Sequence, residues 1–148
     1  MMNELSVKLC RLHPDAVIPT YGSQNAAGAD LYTVDDEVTI APGETRLMHT
    51  GISMEIPDGW CGLIYARSGL ATKQGLAPAN KVGVIDSDYR GELMVSLYNQ
   101  SSAPRTVQKG ERIAQLVFAP APQAVFTVSD TLSQTERADG GFGSTGRK

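Results

Sequence analysis

Apolar and polar residues alternate along several short segments of the chain. In three segments the apolar residues are spaced two apart: Leu5, Val7 and Leu9; Ile52, Met54 and Ile56; Leu93, Val95 and Leu97. Largely apolar runs, rich in valine, cover Val82–Ile85, Ile113–Phe118 and Ala124–Val128. A period of two places alternate side chains on one face of a strand, and short apolar runs between turns are typical of buried strands. The pattern therefore predicts many short β-strands.

Turn residues separate these runs, at Pro42-Gly43, Pro57-Asp58-Gly59 and Lys109-Gly110-Glu111. One helix is predicted, over Ser68–Leu76, with Ser68 as its N-terminal cap. Many short strands joined by close turns favour an all-β barrel or sandwich with one short helix. A length of 148 residues suits a single core.

The composition changes after Val128. Residues 129–136 are polar apart from one leucine, and the segment 140–146 holds four glycines, a serine and a threonine. Such a segment buries too little apolar surface to order itself. We therefore predict a β-barrel domain over residues 1–128 and a flexible C-terminal arm over residues 129–148. A plain spacer is the alternative, although Arg137 and Phe142 are unusual in one.

Charge and composition argue against several classes of function. The net charge is −3, with 13 basic and 16 acidic residues, so nucleic-acid binding is not expected. No apolar run approaches the roughly 18 residues of a membrane span, and residues 1–13 lack the apolar core of a secretion signal. Cys10 and Cys61 match no zinc spacing and are predicted to be small core residues. His13 and His49 match no triad and are predicted to be structural or surface residues. A cytoplasmic protein is expected.

Three segments carry residues suited to phosphate chemistry. Arg67 and Ser68 open the predicted helix, where a cation, a hydroxyl and helix N–H groups favour an anion. The alternative there is a helix cap beside a surface ion pair. Asp86 directly follows an apolar run and is a candidate general base, the alternative being a solvated turn in a hairpin. For Asp30, a lone acid among small and apolar residues, the alternative on its own segment is a bond to backbone donors of a turn.

Five segments, taken together and in order, resemble the five motifs of the trimeric dUTPase family. They lie between Ala26 and Gly146 and so span most of the chain. They read Ala-Gly-Ala-Asp-Leu-Tyr (27–32), Ala-Arg-Ser-Gly-Leu-Ala (66–71), Gly-Val-Ile-Asp-Ser-Asp-Tyr-Arg-Gly (83–91), Gly-Glu-Arg-Ile-Ala-Gln-Leu (110–116) and Arg-Ala-Asp-Gly-Gly-Phe-Gly-Ser-Thr-Gly (137–146).

The resemblance implies a jelly-roll β-barrel and a homotrimer with active sites shared between subunits. The implied reaction is hydrolysis of dUTP to dUMP and pyrophosphate, which keeps uracil out of DNA and supplies dUMP for thymidylate synthesis. Mg²⁺ is the implied cofactor, held by the triphosphate and by water, with Asp30 acting on it through water. The C-terminal arm is implied to close over a neighbouring subunit's active site.

Residues that match the family motifs take their roles from the resemblance. Asp86 is the implied base that activates water for attack on the α-phosphorus, while Ser68 and Gln115 are implied catalytic residues that hold the phosphate chain. Asn80 is implied to read the edge of uracil, and Tyr89 to lie under the deoxyribose. The other implied substrate-binding residues are Arg67, Gly69, Gly83, Val84, Met94, Arg137, Phe142, Gly143, Ser144 and Thr145.

Two other functions are weighed against this resemblance. A dCTP deaminase-like enzyme shares the barrel, but it is expected to carry a catalytic glutamate in place of the aspartate motif and does not account for Phe142. A non-catalytic, nucleotide-binding or regulatory trimer is the second alternative. The presence of Asp86, Ser68 and Gln115 argues against a site without activity.

Overall fold

Twelve strands and one short helical turn make up residues 4–146, the part of the chain that the computed structural model describes. The predicted domain and arm each reach beyond it, by residues 1–3 and 147–148. The strands are β1 Lys8–Arg11, β2 Thr20–Tyr21, β3 Ala29–Tyr32, β4 Val38–Ile40, β5 Thr45–His49, β6 Ile52–Glu55, β7 Trp60–Tyr65, β8 Leu76–Pro78, β9 Gly83–Ile85, β10 Met94–Asn99, β11 Arg105–Val107 and β12 Arg112–Pro120.

The strands pair in antiparallel fashion in four sheets. The largest sheet has the order β2-β3-β12-β7-β9, a second has the order β5-β10-β8, and two pairs are β1-β6 and β11-β4. Together they enclose one cluster of buried aliphatic side chains. The predicted all-β, jelly-roll-like fold with one short helix is confirmed.

Alternation along the strands fills this core as the sequence predicts. Ile52 and Met54 of β6 are buried, and so are Val95 and Leu97 of β10, whereas the residues between them are less buried. Burial of one large aliphatic side chain stabilises a fold by about 1.5–3 kcal/mol. The fully buried large side chains are Leu31, Ile40, Met48, Ile52, Ile56, Leu76, Leu93, Val95, Leu97, Val107, Ile113 and Leu116.

The strand predicted at Ala124–Val128 is wrong. This segment has no regular secondary structure, and Val125, Phe126 and Val128 are each more than 90% exposed. The last backbone hydrogen bond to the barrel runs from Ala121 N–H to the Gly59 carbonyl, at 2.8 Å. An apolar run has strand propensity, but a strand also needs a neighbour to pair with, and the segment has none within its own subunit.

The predicted helix is shorter than expected and its cap is different. A π-helical turn covers Leu70–Gln74 and ends at Gly75, whose positive φ of 68° suits glycine. Gly69 precedes the turn without a side-chain cap, and Ser68 is exposed. The carbonyl of Arg67 already accepts a hydrogen bond from Ala71 N–H at 3.0 Å, so the turn begins before Ser68 has a capping position.

Both cysteines are free thiols, but only one is partly buried. Cys61 is half-buried, whereas Cys10 points outward from β1, so the prediction of a core residue is wrong for Cys10. Only one face of β1 packs against the barrel, and Cys10 lies on the other face. None of the helical segments found in residues 4–146 has the length and apolar character to span a bilayer.

Candidate active site

Strand register brings three polar side chains side by side in the five-stranded sheet. Gln115 of β12 pairs with Asp30 of β3 on one side and with Tyr65 of β7 on the other. Paired residues of antiparallel strands project from the same face. Gln115 Nε2 donates a hydrogen bond to the carbonyl of Ala66 at 2.8 Å, just past the end of β7. The amide thereby fixes the segment that leads into Arg67.

Asp30 is a buried carboxylate held between two arginines. Arg67 Nε donates to Asp30 Oδ1 at 2.8 Å, and Arg112 Nη1 donates to Oδ2 at 3.4 Å. Only 8% of Asp30 is exposed, and burial of an ionised carboxylate is costly unless cations neutralise it. The interpretation of Asp30 as a turn residue bonded to backbone donors is therefore wrong. We call Asp30, Arg67, Arg112 and Gln115 the arginine cluster.

A groove of about 460 Å³ opens beside the arginine cluster. Its lining includes three cations, Arg67, Lys73 and Arg112, and one acid, Glu111, so basic groups predominate at the opening. Ser68 is exposed next to Arg67 and offers a hydroxyl donor. Three cations with a hydroxyl form a suitable environment for the oxygens of a phosphate chain.

Four of the predicted substrate-binding residues line a single narrow cleft. Asn80, Gly83, Val84 and Met94 surround a space of about 140 Å³, which we call the Asn80 cleft. A cavity of roughly 150 Å³ is enough for one benzene ring. A Cβ atom at Gly83 would lie 3.5 Å from Asn80 Nδ2 and 3.4 Å from the side chain of Ile64, so a larger residue there would narrow the cleft.

The segment 86–91, which we call the Asp86 loop, crosses from one sheet to another. The alternative of a hairpin at Asp86 is ruled out, because β9 pairs with β7 whereas β10 pairs with β5 and β8. Arg90 Nη1 donates to the Ser87 carbonyl at 2.6 Å and braces the loop from within. Asp86 is exposed, and its carboxylate has no hydrogen-bond or ion-pair partner among the residues described.

The Asp86 loop and the arginine cluster lie at opposite ends of β7 within one chain. Ile85, which precedes Asp86, pairs with Gly62 near the start of β7. Arg67 follows Gly62 by five residues, and at about 3.3 Å per residue this is roughly 16 Å along the strand. One chain therefore brings Arg67, Ser68 and Gln115 together, but it does not bring Asp86 to them.

The arm is also separate from both groups. Phe142 is fully exposed, and Arg137 Nε donates to the Gly140 carbonyl at 2.7 Å. Within residues 122–146 the hydrogen bonds found are local to the arm, as in Ser144 N–H to the Gly141 carbonyl at 3.1 Å. None of the predicted arm contacts, by Arg137, Phe142, Gly143, Ser144 and Thr145, reaches the arginine cluster or the Asn80 cleft of the same chain.

Sequence reasoning missed two cations of the groove. Arg112 lies in the fourth motif and opens β12, but its role depends on the β12–β3 register that places it beside Asp30. Lys73 was assigned only to the predicted helix, and its position on the groove comes from the π-helical turn. The only local signal for Arg112 in the sequence is its position in the fourth motif, three residues before Gln115.

Comparison with known proteins agrees with this geometry. The dUTPase family profile matches residues 15–146. The chain is 48% identical to the deoxyuridine 5'-triphosphate nucleotidohydrolase of Desulfitobacterium hafniense, over 98% of this chain and 99% of that protein. It is 47% identical to the enzyme of the same name from Tolumonas auensis, over 97% of each chain.

A solved structure gives the same result for the fold. The dUTPase of Staphylococcus bacteriophage 80alpha with dUPNHPP superposes with a TM-score of 0.88 and 27% sequence identity, over 95% of this chain and 98% of that one. The family profile covers all of the residues that form the arginine cluster, the Asn80 cleft and the Asp86 loop, and the sequence relatives cover nearly the whole chain. We conclude that this chain belongs to the dUTPase family.

Proposed function

We propose that this chain hydrolyses dUTP to dUMP and pyrophosphate at a site made from the arginine cluster, the Asn80 cleft, the Asp86 loop and the arm. The observation that carries the proposal is the Asn80 cleft, a space for one ring that is lined by Asn80, Gly83, Val84 and Met94. The cation-lined groove supplies the phosphate-binding part that a nucleoside triphosphate also needs.

The Asn80 cleft accounts for selection of uracil. The Asn80 amide and the backbone around Gly83 offer a donor and acceptors to the edge of the base. Cytosine reverses that donor and acceptor pattern, and thymine adds a methyl group to a space that already fits only one ring. A mispaired buried polar group can cost about 10⁴-fold in selectivity, whereas one methyl group costs about 1–3 kcal/mol.

The arginine cluster accounts for binding of the phosphate chain. Arg67, Ser68 and Gln115 hold the triphosphate in our proposal, and Arg112 adds a second guanidinium. Mg²⁺ fits this site as an ion carried by the triphosphate, because Mg²⁺ prefers phosphate oxygens and retained waters. Asp30 would contact it through water, since each carboxylate oxygen keeps acceptor capacity beyond its bond to an arginine. When bound, the ion neutralises charge on the leaving pyrophosphate.

Asp86 is the base in this proposal. Its carboxylate accepts a proton from a water molecule whose oxygen attacks the α-phosphorus. The bond from that phosphorus to the bridging oxygen breaks on the opposite side, and pyrophosphate leaves with the bonding electrons. Most of the rate gain in such a reaction comes from alignment and charge stabilisation.

The separation of Asp86 from Arg67 supports a site shared between chains. Both groups are needed at one α-phosphorus, yet they lie roughly 16 Å apart along the strand in one chain. A closed ring of identical chains brings one subunit's Asp86 loop to the next subunit's arginine cluster. The exposed Val125, Phe126 and Val128 precede the arm and give the chain an apolar surface to bury on a neighbour. We therefore propose the homotrimer that the resemblance implies.

The arm completes the site in this proposal. Phe142 stacks on uracil in a neighbouring subunit, while Arg137, Ser144 and Thr145 contact the phosphates. Closure of such a segment excludes water and aligns the reacting atoms. A cytoplasmic location is also proposed, because the free thiols of Cys10 and Cys61 are typical of a reducing compartment.

A pyrophosphate-release assay tests the proposed function. With Mg²⁺ present, kcat/KM for dUTP is expected to exceed that for dCTP and UTP by about 10³-fold or more, and that for dTTP by about 10²-fold. The Asn80 cleft rejects the wrongly paired ring of cytosine and the extra methyl group of thymine, whereas Tyr89 beneath the deoxyribose excludes the 2′-hydroxyl of UTP. Comparable turnover of the four nucleotides would contradict the proposal.

A further inference from the structure

An ion pair between His49 and Glu92 lies outside the proposed site. In the sequence, Glu92 stands between two proposed substrate-binding residues, Tyr89 and Met94. His49 Nδ1 is 2.9 Å from Glu92 Oε2, and Glu92 Oε1 accepts a hydrogen bond from Gly51 N–H at 2.8 Å. Glu92 lies three residues after Tyr89 and two residues before Met94. Its carboxylate therefore fixes the point where the Asp86 loop returns to β10.

Tyr89 is tied to the same residue through its hydroxyl group. The phenol donates to the carbonyl of Glu92 at 2.8 Å. A Cβ atom at Gly91 would overlap the Tyr89 hydroxyl, so the absence of a side chain lets the ring fold back over the loop. The position of the Tyr89 ring consequently depends on where Glu92 is held.

His49 is also linked to the Asn80 cleft through its strand partner Met94. It pairs with Met94 in the β5–β10 ladder, so the two side chains project from the same face. His49 itself is fixed at the end of β5, because its N–H donates to Asp35 Oδ2 at 2.7 Å and its carbonyl accepts from Val34 N–H at 2.9 Å.

We propose that Glu92 and His49 are positioning residues for the hydrolysis of dUTP. Their ion pair holds the end of the Asp86 loop, which keeps Tyr89 beneath the deoxyribose and Met94 against the base. The inference rests on the proposed function, because it takes the roles of Tyr89 and Met94 from there. The Gly51 bond acts at every pH, whereas the His49 bond gains strength from a protonated ring.

Other charged groups surround the pair. Asp35 and Asp36 face it from the segment after β3, His13 from the segment after β1, and Lys109 from the turn before β12. Lys109 Nζ is bonded to Asp15 Oδ2 at 2.9 Å and lies 3.5 Å from Asp36 Oδ1. These contacts engage Lys109, so its charge is largely balanced near the imidazole.

The hydrogen bond that His49 donates to Glu92 is the main cause that raises the pKa of His49 above its usual 6.5, and the charge of Asp35 acts in the same direction. A raised pKa means that the imidazolium is fully formed below pH 6.5 and is lost as the pH rises through the raised value. The hold of Glu92 and His49 on Tyr89 therefore weakens as the pH rises above 6.5 through the raised pKa of His49.

Steady-state kinetics of Glu92→Gln and His49→Gln test the inference. Glu92→Gln keeps an acceptor for the Gly51 N–H but loses the negative charge. It is expected to lower the ratio of kcat/KM for dUTP to kcat/KM for UTP by about tenfold, because a displaced Tyr89 no longer excludes the 2′-hydroxyl. His49→Gln keeps a neutral donor. When the pH is raised from 6 to 8.5, the KM for dUTP is expected to rise less in His49→Gln than in the wild-type protein.

His13→Gln is the matched control, because His13 lines the same opening without contacting Glu92. It is expected to follow the wild-type profile, and the titration of the substrate itself is common to all three proteins. An unchanged dUTP/UTP ratio in Glu92→Gln, with a thermal midpoint near wild type, would overturn the inference. So would a wild-type pH dependence in His49→Gln. Failure of the wild-type protein to hydrolyse dUTP would instead reject the proposed function.

Discussion

Asp86→Asn is expected to lower kcat for dUTP by about 10³-fold while the Kd for dUTP changes by less than about threefold. General-base catalysis contributes roughly 10²–10⁴-fold, and the amide of asparagine cannot take a proton from water. The change is isosteric and the Asp86 carboxylate is exposed, so the fold is expected to keep its stability within about 0.5 kcal/mol. Turnover by pyrophosphate release and binding of a non-hydrolysable dUTP analogue are the two measurements.

Asp58→Asn is the control for this variant. Asp58 and Asp86 line the same opening, both are exposed, and the substitution removes the same charge. Asp58→Asn is expected to retain wild-type kcat. Full activity of Asp86→Asn would show that Asp86 is not the base. An equal loss of kcat in both variants would indicate that the reaction depends on the negative charge of this surface and not on one base.

Truncation after Asp139 has the second largest expected effect. Without residues 140–148, kcat is expected to fall by about 10²-fold or more, because the site no longer closes over the aligned phosphates. The thermal midpoint is expected to change by only a few degrees, since the hydrogen bonds found for residues 122–146 are local to the arm. Calorimetry and the pyrophosphate assay are run on the same preparation.

Phe142→Ala in the full-length chain separates stacking from closure. Loss of one stacked aromatic ring is worth about 1–3 kcal/mol, so this variant is expected to lose less activity than the truncation. A collapse of the fold on truncation would show that the arm is structural. Wild-type turnover without residues 140–148 would show that the arm has no part in the reaction.

The barrel could be predicted from sequence because the information is local. Alternation at Ile52 and Met54 marks the core face of β6 whatever that strand pairs with, and turn residues bound the strands closely. The same reasoning failed at Ala124–Val128, because an apolar run carries no signal of whether a neighbouring strand exists. Local patterns also could not exclude a hairpin at Asp86, because the pairing of β9 with β7 joins segments that are far apart in the sequence.

The site could be predicted only in part for the same reason. The motifs named Arg67 and Gln115, but the burial of Asp30 between two guanidiniums follows from the β3–β12 register. In the sequence alone Asp30 could be taken for a turn residue, since no residue near it in sequence balances its charge. His49 likewise looks ordinary until β5 and the end of the Asp86 loop lie side by side.

The central claim is that a complete dUTP site forms only between chains, and subunit mixing tests it most directly. Asp86→Asn and Arg67→Ala are prepared separately, each nearly inactive, and then unfolded and refolded together in equal amounts. If one subunit provides Asp86 and the next provides Arg67, a site is intact when the right two variants are adjacent. Random closed trimers then give about a quarter of wild-type activity per site. Activity in the mixture no greater than in the separate variants, with mixed trimers verified, would contradict the account.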